Sequence, residues 1–496
     1  MSMNPIEEIK RKLDVVEFIG SHITLKKAGR NFKANCPFHQ EKSASFVVSP
    51  ERQIWHCFGA CQEGGDVIRF LMKWENIPFV EALQELAKRT GVKLDTFDIQ
   101  DSQWKKKEAL IRVNNSAKDF YHYILTQSAI GKKAREYLAA RNINEKIIET
   151  FQLGYAPQSW DSLIKFLIKK SFAQADLKDT GLTVTGKNNS LYDRFRGRIM
   201  FPINDTRGNN IGFSGRVLVE EDSKDGAKYV NTPETPLYHK RESLFGIHLA
   251  KDAIKKEGNV FLVEGEFDAI SMYQSGVKNV VAIKGSAVTR DQLQLLKRLT
   301  DNVTLALDAD AAGEEAVRRS IYEAEQLDVN LQIVQFDFAK DPDEAIQKDL
   351  KRFKKAVDNP VPIFDYMFDL LQTKHNVKDP FGKKKLSDEY LTIIRSIKNP
   401  IVQTHYVKKL ATLLEVGERT IERELEKVRQ KKYKTSTKSM LAQPRDQEQR
   451  DLKIQKYFLS ILLQSDLSDD EFSQIKELLE PREFSTPAFQ NLYEQV

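Results

Sequence analysis

The sequence is poor in cysteine, has no long apolar stretch and carries little net charge. Its 3 cysteines all lie between residues 36 and 61, and a clustered, odd number favours metal binding over disulfides. No run of about 18 apolar residues occurs, so we expect no membrane-spanning helix. Residues 1–20 lack the apolar core of a signal peptide, which predicts a cytoplasmic protein. A net charge of +6 does not by itself indicate a partner.

The composition is that of a multidomain globular protein. A length of 496 residues allows three or four domains. Hydrophobic residues make up 41% of the chain and include 28 phenylalanines, which is enough apolar material for sizeable cores. Charged residues make up another 30% and provide a polar surface. We therefore expect several packed domains.

Three short apolar runs have the length and β-branched content of buried parallel strands: residues 260–263, 303–307 and 331–336. Helical patterns lie between them. The acids that follow these runs are Glu264, Asp308, Asp310, Asp341 and Asp343. Ligands of open α/β sheets bind beyond the carboxyl ends of the strands, and residues i and i+2 of an extended segment point the same way. These strand-end acids can therefore share one site.

So much negative charge in one place is costly unless cations neutralise it, and oxygen ligands favour Mg²⁺ or Mn²⁺. The pattern therefore predicts a site for divalent cations at this edge of the sheet. The alternative is that the acids cap the helices that follow them, as Asp268 and Glu344 could do. Acids at three strand ends together favour the metal site.

The pattern resembles the Toprim domain of bacterial primases, topoisomerases and some nucleases. The segments that carry the resemblance are Glu264-Gly265, Asp308-x-Asp310 and Asp341-Pro342-Asp343-Glu344. The resemblance implies phosphoryl transfer with two or more Mg²⁺ or Mn²⁺ ions held by the five strand-end acids. The implied catalytic residues are Glu264, Asp308 and Asp310. Whether Glu264 binds metal or acts as a general base is left open.

Three cysteines and one histidine form a second candidate metal site near the N-terminus. Polar and apolar residues alternate around them, with turn residues between, which predicts a small antiparallel sheet. Cys36 and His39 lie on one turn, and Cys57 and Cys61 lie on another. Three sulfurs and one imidazole form the closed set that structural Zn²⁺ prefers. Buried free cysteines are the alternative, and His56 should point to the opposite face of the ribbon.

This region strongly resembles the zinc-binding domain of DnaG-type bacterial primases. The matching segments are Cys36-Pro-Phe-His39, Glu41-Lys42-Ser43, Ser45-Phe46, His56-Cys57-Phe58-Gly59 and Gly64-Gly65-Asp66. The second cysteine pair departs from the family, because its spacing is Cys-x3-Cys where Cys-x2-Cys is usual. The resemblance implies one structural zinc and a role in selecting the template site. Support of folding alone is the alternative role.

Arginines alternate along a predicted strand in the middle of the chain. Arg194, Arg196 and Arg198 lie in the run 192–203 and would share one strand face. Three guanidinium groups on one face repel one another unless an anion lies against them, and phosphate is the natural candidate. A solvated edge strand with paired acids is the alternative.

Residues 191–246 resemble the catalytic core of DnaG-type primases, in which a basic surface lies beside the Toprim acids. The residues whose positions match, and which we expect to contact template or nucleotide, are Arg141, Arg196, Arg216, Lys228 and Lys240. Asn231 would shape the same pocket. Arg194 and Arg198 complete the predicted binding set.

The predicted fold class is multidomain α/β, with a zinc-ribbon β domain, a mixed α/β core containing a Toprim fold and a helical C-terminal region. The predicted parts are a zinc-ribbon DNA-binding domain (1–97), a linker or linking helix (98–115), the N-terminal part of the core with the basic face (116–257), the Toprim domain (258–350), a helical part of the core (351–430), a charged linker (431–447) and the start of a helical C-terminal domain (448–496). That last part resembles the family's helicase-binding domain and is expected to be incomplete, so helicase docking is left open.

Together the resemblances imply a DNA-dependent RNA primase that synthesises short RNA primers on single-stranded DNA for replication. The implied partners are single-stranded DNA template, ribonucleoside triphosphates, the RNA–DNA hybrid and the replicative helicase, in the bacterial cytoplasm at the nucleoid and away from membranes. Two other classes stay open, a Toprim-family nuclease or topoisomerase-like enzyme and a zinc-ribbon DNA-binding protein without catalysis. The helical remainder offers no obvious place for a topoisomerase's nucleophilic tyrosine. A pure binder gains nothing from carboxylates beside phosphate.

Overall fold

The computed structural model describes residues 4–427, apart from residues 40, 42, 76, 93, 95–101, 187–189, 219–226, 286 and 309–310. For residues 102–104 and 311–314 it describes the backbone alone. Beyond residue 427 it describes only residues 455, 457, 458, 462, 490 and 493. The chain divides into two compact units, Met1–Ile363 and Phe364–Val496.

An antiparallel ribbon with four helices forms the N-terminal part of the first unit, the ribbon domain. Its elements are α1 (Pro5–Lys12), α2 (Val15–Gly20), β1 (Lys26–Ala28), β2 (Asn31–Ala34), β3 (Phe46–Ser49), β4 (Ile54–Cys57), β5 (Gly64–Gly65), α3 (Val67–Glu75) and α4 (Phe79–Thr90). The strands follow one another in the order β1-β2-β3-β4-β5, and every neighbouring pair is antiparallel. The predicted small antiparallel sheet is therefore confirmed. Asp66 caps α3, and Gly91, with φ 66°, ends α4.

One face of the ribbon is buried against these helices. Phe46, Val48, Trp55 and Cys57 alternate along β3 and β4 and are buried. The rings of Phe46 and Trp55 stack with their centroids 5.0 Å apart. His56 lies between two of these buried residues in β4, so its side chain points to the opposite face, as predicted.

A long helix leads into the second part of the first unit, the core. Its elements are α5 (Ser102–Thr126), a short 3₁₀ turn (Ala129–Gly131), α6 (Lys132–Ala140), α7 (Glu145–Phe151), β6 (Gly154–Ala156), α8 (Ser162–Lys169), α9 (Gln174–Asp179), β7 (Thr183–Thr185), β8 (Leu191–Asp193), β9 (Arg198–Asn204), β10 (Asn210–Val217), β11 (Tyr229–Asn231) and α10 (Ile247–Glu257). The strands form an antiparallel sheet in the order β11-β10-β9-β6 and a separate pair, β7-β8. Leu110 and Val113 of α5 are buried. Of the two alternatives, a linker and a linking helix, the described residues 102–115 form a helix, and this helix is buried at Leu110 and Val113.

The predicted arginine strand is interrupted, which corrects the expectation that three arginines share one strand face. β8 ends at Asp193 and β9 begins at Arg198, so residues 194–197 connect two strands. Gly197 has φ 60°, a left-handed conformation that a continuous strand does not contain. The Asp193 carboxylate accepts two backbone N–H groups at the start of α8, at 2.8 and 3.1 Å, and so anchors the connection. The arginine side chains consequently reach different partners.

A five-stranded sheet carries the strand-end acids. Its elements and their helices are β12 (Val260–Val263), α11 (Glu266–Ser275), β13 (Val280–Ala282), α12 (Arg290–Lys297), β14 (Asn302–Leu305), α13 (Ala311–Leu327), β15 (Asn330–Ile333), α14 (Pro342–Lys348), α15 (Leu350–Val357) and β16 (Val361–Pro362). The strand order is β13-β12-β14-β15-β16, with β16 antiparallel and the other pairs parallel. The three predicted strands are confirmed as the adjacent parallel strands β12, β14 and β15. Their carboxyl ends meet at one edge of the sheet.

The ribbon domain contacts the core through a buried carboxylate. Glu81 of α4 is 8% exposed and lies 2.7 Å from Lys107 Nζ of α5. It also lies 2.7 Å from Arg207 Nη1, in the turn between β9 and β10. Arg298 Nη1 donates to the carbonyl oxygen of Trp74 at 2.6 Å. These bonds hold the ribbon domain against one side of the core.

The second unit is helical over its described residues. Its helices are α16 (Ile363–Lys374), which begins at the unit boundary, α17 (Pro380–Ile394), α18 (Pro400–Leu414) and residues 418–427. Asp379 and Asn399 cap α17 and α18, each directly before a proline at the first helical position. The predicted linker 431–447 and nearly all of residues 448–496 lie outside the described residues. In the described part of the chain, no helix combines the length and the apolar content needed to cross a bilayer.

Candidate metal centres and nucleic-acid interface

The four predicted zinc ligands, the zinc quartet Cys36, His39, Cys57 and Cys61, meet at one end of the ribbon. Their ligand atoms all lie within 4.8 Å of one another. Cys36 Sγ is 3.7 Å from Cys61 Sγ, and Cys57 Sγ is 3.9 Å from His39 Nδ1. Ligands about 2.0–2.3 Å from a tetrahedral zinc are roughly 3.5–3.8 Å apart. The quartet therefore fits zinc, and the Cys-x3-Cys spacing does not prevent this arrangement.

Glu264 and Asp308 lie beside each other at the ends of adjacent strands. Glu264 follows β12 directly, and Asp308 follows β14. The Asp308 N–H is 3.4 Å from Glu264 Oε1. Both side chains are partly buried. Asp310 lies outside the described residues.

Asp268 is a further carboxylate of this region, and the structure gives it the capping role that the sequence left open. Its Oδ2 accepts the Gly265 N–H at 3.2 Å at the start of α11. Its Oδ1 accepts the Asp343 N–H at 3.2 Å. Burial, and after it the charges of Asp341 and Asp308, raises the pKa of Asp268 well above its usual value. Asp268 therefore caps a helix, and its raised pKa reflects the burial and the negative charge of its surroundings.

Asp341 and Asp343 have different local roles. Asp341 is the N-cap of α14, where its Oδ1 accepts the Glu344 N–H at 2.7 Å. Asp343 is buried, with Arg141 Nη1 2.8 Å from its Oδ2 and Ser271 Oγ 2.6 Å from its Oδ1. Asp343 therefore anchors Arg141 beside the acids. Metal binding by either aspartate stays a prediction.

The zinc quartet is the one group of potential metal ligands in the described part of the chain whose atoms lie within 4.8 Å of one another. The strand-end acids that the structure describes are not drawn together in this way. Mg²⁺ usually binds through one or two carboxylates together with waters and substrate phosphates. An open arrangement of acids is therefore compatible with the ions predicted for this edge of the sheet.

Arg216 of β10 is buried in this region without a full set of hydrogen bonds. It is 7% exposed, and its guanidinium carbon lies 5.0, 5.3 and 5.7 Å from the ring centres of Phe267, Tyr137 and Tyr229. Its Nε and Nη1 have no hydrogen-bond partner among the described residues. The Arg141 guanidinium lies over the same Phe267 ring, at 4.5 Å. Because a buried cation without acceptors is costly, this position indicates a site for an anion.

Arg196 contacts two aromatic residues that were not predicted to be functional. Its guanidinium carbon is 4.2 Å from the ring centre of Trp160 and 5.4 Å from that of Tyr192. Trp160 is 64% exposed. An exposed aromatic ring beside an arginine is typical of surfaces that bind single-stranded nucleic acid. We call Trp160, Tyr192 and Arg196 the aromatic platform.

The other two arginines of the predicted face bond to the protein backbone. Arg194 Nε donates to the carbonyl oxygen of Gly181 at 2.7 Å. Arg198 Nη1 donates to the carbonyl oxygens of Gly215 and Lys228, both at 3.2 Å. Burial lowers the pKa of both arginines. Both side chains therefore support the connection that presents Arg196.

Two of the three remaining predicted contacts, Lys228 and Asn231, lie at the strand beside Arg216. β11 pairs with β10 so that Tyr229 is opposite Arg216 and Asn231 is opposite Ser214. The Asn231 Oδ1 is buried without a hydrogen-bond partner among the described residues. Lys228 directly precedes β11. Lys240 is exposed, and its backbone N–H donates to Glu234 at 3.0 Å.

A buried ion pair that the sequence did not predict lies close in the chain to Glu264. Glu266, the first residue of α11, pairs with Lys284, and both are buried. Glu266 is two residues beyond Glu264, and Lys284 directly precedes Gly285. The pair therefore connects the turn after β12 to the loop after β13. No sequence signal could have paired these residues, which are 18 positions apart.

Four family models match successive parts of the chain. They are the CHC2 zinc finger (residues 1–102), the N-terminal domain of the DNA primase catalytic core (120–251), a Toprim-like domain (261–346) and the DnaB-helicase binding domain of primase (364–419). The last match begins at the first residue of the second unit. This match to the helicase-binding domain therefore lies on a different segment from residues 448–496, where the sequence predicted the start of such a domain.

Named relatives match over most of the chain. The DNA primase of Clostridium acetobutylicum is 37% identical over 419 residues, which is 84% of this chain and 68% of that protein. The chain belongs to the DnaG-type family of bacterial DNA primases. As a member of that family it is an RNA polymerase-type nucleotidyltransferase that makes RNA primers. These matches do not favour the two alternative classes, a Toprim nuclease or topoisomerase-like enzyme and a DNA-binding protein without catalysis.

Solved primase structures have the same fold. The zinc-binding and RNA polymerase domains of Aquifex aeolicus primase are 32% identical, with 85% of this chain and 99% of that chain covered and a TM-score of 0.57. A DnaG primase catalytic domain bound to single-stranded DNA is 30% identical, with 64% and 99% covered and a TM-score of 0.57. The predicted fold class is therefore confirmed. The zinc-finger and Toprim matches support zinc in the ribbon domain and a divalent metal in the Toprim domain.

Proposed function

We propose that Glu264, Asp308 and Asp310 are the catalytic residues of primer synthesis and that they bind Mg²⁺ or Mn²⁺ together with Asp341 and Asp343. Divalent ions held there supply activation of the primer 3′-hydroxyl and neutralisation of the leaving pyrophosphate. The support is that Glu264 and Asp308 end adjacent parallel strands, with the Asp308 N–H 3.4 Å from Glu264 Oε1. Phosphoryl transfer needs little more from a protein than such positioning and charge.

The observation that carries the proposal is the buried guanidinium of Arg216. Its Nε and Nη1 lack acceptors among the described residues, although aromatic rings enclose it. Phosphate oxygens of a ribonucleoside triphosphate, or of the growing RNA–DNA hybrid, would supply those acceptors. Because the surroundings exclude water, a charge held there stabilises phosphate more strongly than an exposed arginine would. Arg141, anchored by Asp343, extends the same positive region.

The template strand is assigned to the aromatic platform of the core, where Arg196 meets phosphate and the exposed tryptophan meets a base. Arg194 and Arg198 contribute by holding the connection that carries Arg196. Lys228, Asn231 and Lys240 are assigned to the nucleotide or the hybrid. Lys228 directly precedes the strand that pairs with β10 at Arg216, and Asn231 is its last residue.

The outer face of the ribbon is assigned to the template as well. Lys26 and Lys33 are direct partners across β1 and β2, and like charges so placed are destabilising without an anion. Lys33, Val47 and His56 follow in one row across the sheet. Phe58 is 69% exposed, with its ring 4.5 Å from that of His56. Lysines for phosphates and an exposed ring for bases match single-stranded DNA.

The second unit is assigned to the replicative helicase, which places the activity at the bacterial nucleoid. The support is the family match to a DnaB-helicase binding domain at residues 364–419. Phe381 and Ile401, near the starts of α17 and α18, are 76% and 82% exposed. Exposed apolar side chains of this size suit contact with a protein partner.

The decisive experiment measures unprimed incorporation of labelled ribonucleotides on single-stranded DNA with Mg²⁺ or Mn²⁺. Wild type is compared with Asp308→Asn and with Asp301→Asn, a matched change at an exposed aspartate that pairs with Lys297. We expect short RNA from wild type and Asp301→Asn, and about 10²–10³-fold less from Asp308→Asn. Undiminished RNA from Asp308→Asn would reject the assigned metal site. Cutting of the template in place of RNA synthesis would point to a Toprim nuclease.

A further inference from the structure

Glu41 lies behind the zinc quartet and contacts two of its members. Its Oε1 accepts the Cys36 N–H at 2.6 Å and the Ser45 N–H at 3.0 Å. Its Oε2 lies 3.2 Å from His39 Nε2. The Glu41 side chain is 10% exposed. A nearly buried carboxylate thus connects the first pair of ligands to the strand that follows them.

Ser45, which donates its backbone N–H to Glu41, also contacts a third ligand, and Gly59 packs against both side chains. Ser45 Oγ lies 3.2 Å from Cys57 Sγ, and the Gly59 N–H donates to that sulfur at 3.3 Å. A Cβ on Gly59 would lie 2.5 Å from Ser45 Oγ, 2.7 Å from Glu41 Oε2 and 2.8 Å from His39 Nε2. Any side chain at position 59 would therefore displace these atoms. Glu41, Ser45 and Gly59 are therefore packed closely around the zinc quartet.

We propose that Glu41 is a positioning residue of the zinc site, which holds His39 as an Nδ1 ligand by accepting the proton on Nε2. Nδ1 faces Cys57 Sγ at 3.9 Å, whereas Nε2 lies 3.2 Å from both Glu41 Oε2 and the backbone nitrogen of Ala60. When Nδ1 binds zinc, Nε2 carries the proton of the neutral imidazole, and of these two neighbours only the Glu41 carboxylate can accept it. An acceptor on the second nitrogen fixes the tautomer and the orientation of a ligating imidazole and makes it a stronger ligand. Zinc retention therefore depends on Glu41 although Glu41 does not touch the metal.

A purely structural role makes a different prediction. Glu41 also accepts two backbone N–H groups and could act only by shaping the loop. Glu41→Gln separates the two roles, because the amide oxygen can still accept the N–H groups of Cys36 and Ser45. The amide NH₂ that replaces Oε2 cannot accept a proton from His39 Nε2.

The test uses the full chain loaded with zinc and follows zinc release to excess chelator with a zinc-sensitive dye. We expect Glu41→Gln to lose zinc about 10–100-fold faster than wild type, which is the usual effect of removing such a contact. Glu51→Gln, at an exposed glutamate of the same domain, is the matched control and should release zinc at the wild-type rate. Equal release from Glu41→Gln and Glu51→Gln, with both folded by circular dichroism, would overturn the proposal.

A double-mutant cycle with His39→Cys supplies the second arm. In a four-cysteine site there is no imidazole to orient, so Glu41→Gln should then change zinc release by less than about twofold. An undiminished effect of Glu41→Gln in that background would assign Glu41 to the loop alone. If Glu41→Gln by itself prevents folding, a folded His39→Cys/Glu41→Gln double variant supports the contact with histidine. A double variant that is equally unfolded rejects it.

Discussion

The two metal regions of this chain differ in how far the folded protein completes each site. In the zinc quartet, four ligand atoms lie within 4.8 Å of one another, and Glu41, Ser45 and Gly59 pack around them. In the Toprim region, the described acids are not gathered so closely, and Asp343 is occupied by Arg141. Thiols and a neutral imidazole can be packed together, whereas ionised carboxylates repel one another. A cluster of thiols and an imidazole can thus be closed by the fold, whereas a group of carboxylates stays more open.

The largest expected effects come from one substitution in each metal region, and the two substitutions should impair different properties of the protein. Asp308→Asn should reduce RNA synthesis about 10²–10³-fold, the cost of removing a group that stabilises transition-state charge, and leave zinc content unchanged. Cys57→Ser should lose zinc and unprimed synthesis but keep metal-dependent extension of a primer that is already annealed. Zinc analysis by mass spectrometry and the two polymerisation assays check both variants. Loss of zinc in Asp308→Asn would show that the two regions are not independent.

The second prediction concerns the buried cation beside the acids. Arg216→Leu should reduce primer synthesis about 10–100-fold, since charged hydrogen bonds to phosphate are lost. The free energy of unfolding should stay unchanged or rise, because a buried cation with unsatisfied N–H groups is removed. Arg298→Leu is the matched control, since its guanidinium bonds the Trp74 carbonyl oxygen, and it should lower stability more than activity. Activity assays and denaturant unfolding of both variants decide the matter, and a destabilised Arg216→Leu would mean that Arg216 is structural.

A smaller effect is expected at the aromatic platform. Trp160→Ala should weaken binding of single-stranded DNA about tenfold, because one base loses its stacking partner. The side chain is 64% exposed, so the fold should not change. Fluorescence anisotropy with a labelled oligonucleotide measures the affinity, and Trp160→Phe should retain most of it. Equal affinity of Trp160→Ala and wild type for single-stranded DNA would show that the template binds at another surface.

The smallest effect concerns acid stability of the ribbon domain. Burial, and after it the charges of Lys255 and Arg89, lowers the pKa of His22 to about 4. Since an unfolded histidine titrates near pH 6.5, the unfolded chain binds the proton first, and stability is lost as the pH falls from 6.5 towards 4. His22→Phe should remove up to about 2 kcal/mol of that loss at pH 5. Denaturant unfolding with excess zinc at pH 7.5 and pH 5 tests this, and an unchanged pH dependence would contradict it.

Structural features that depend on residues close together in the sequence could be predicted from it. The zinc ligands lie on two turns of one small antiparallel ribbon, so their spacing already indicated how they meet. The acids of β12 and β14 were predictable because buried parallel strands appear in a sequence as short apolar runs. The prediction of a continuous arginine strand was wrong, because residues 194–197 form a connection between two strands, with Gly197 in the left-handed region. A glycine in a strand-like pattern permits such a break without requiring it.

By itself the sequence determined the family, the three cysteines and one histidine that meet in the ribbon, the parallel strands and the acids that follow them. These depend on residue type and on spacing along the chain, which the covalent chain preserves. Only the tertiary structure decided that Arg216 is buried with its Nε and Nη1 lacking acceptors among the described residues, that Trp160 lies against Arg196 and that Glu266 pairs with Lys284. Each of these results from contact between segments distant in sequence. Whether a charged side chain is solvated, paired or enclosed depends on which segments the fold places around it, and no local pattern records that.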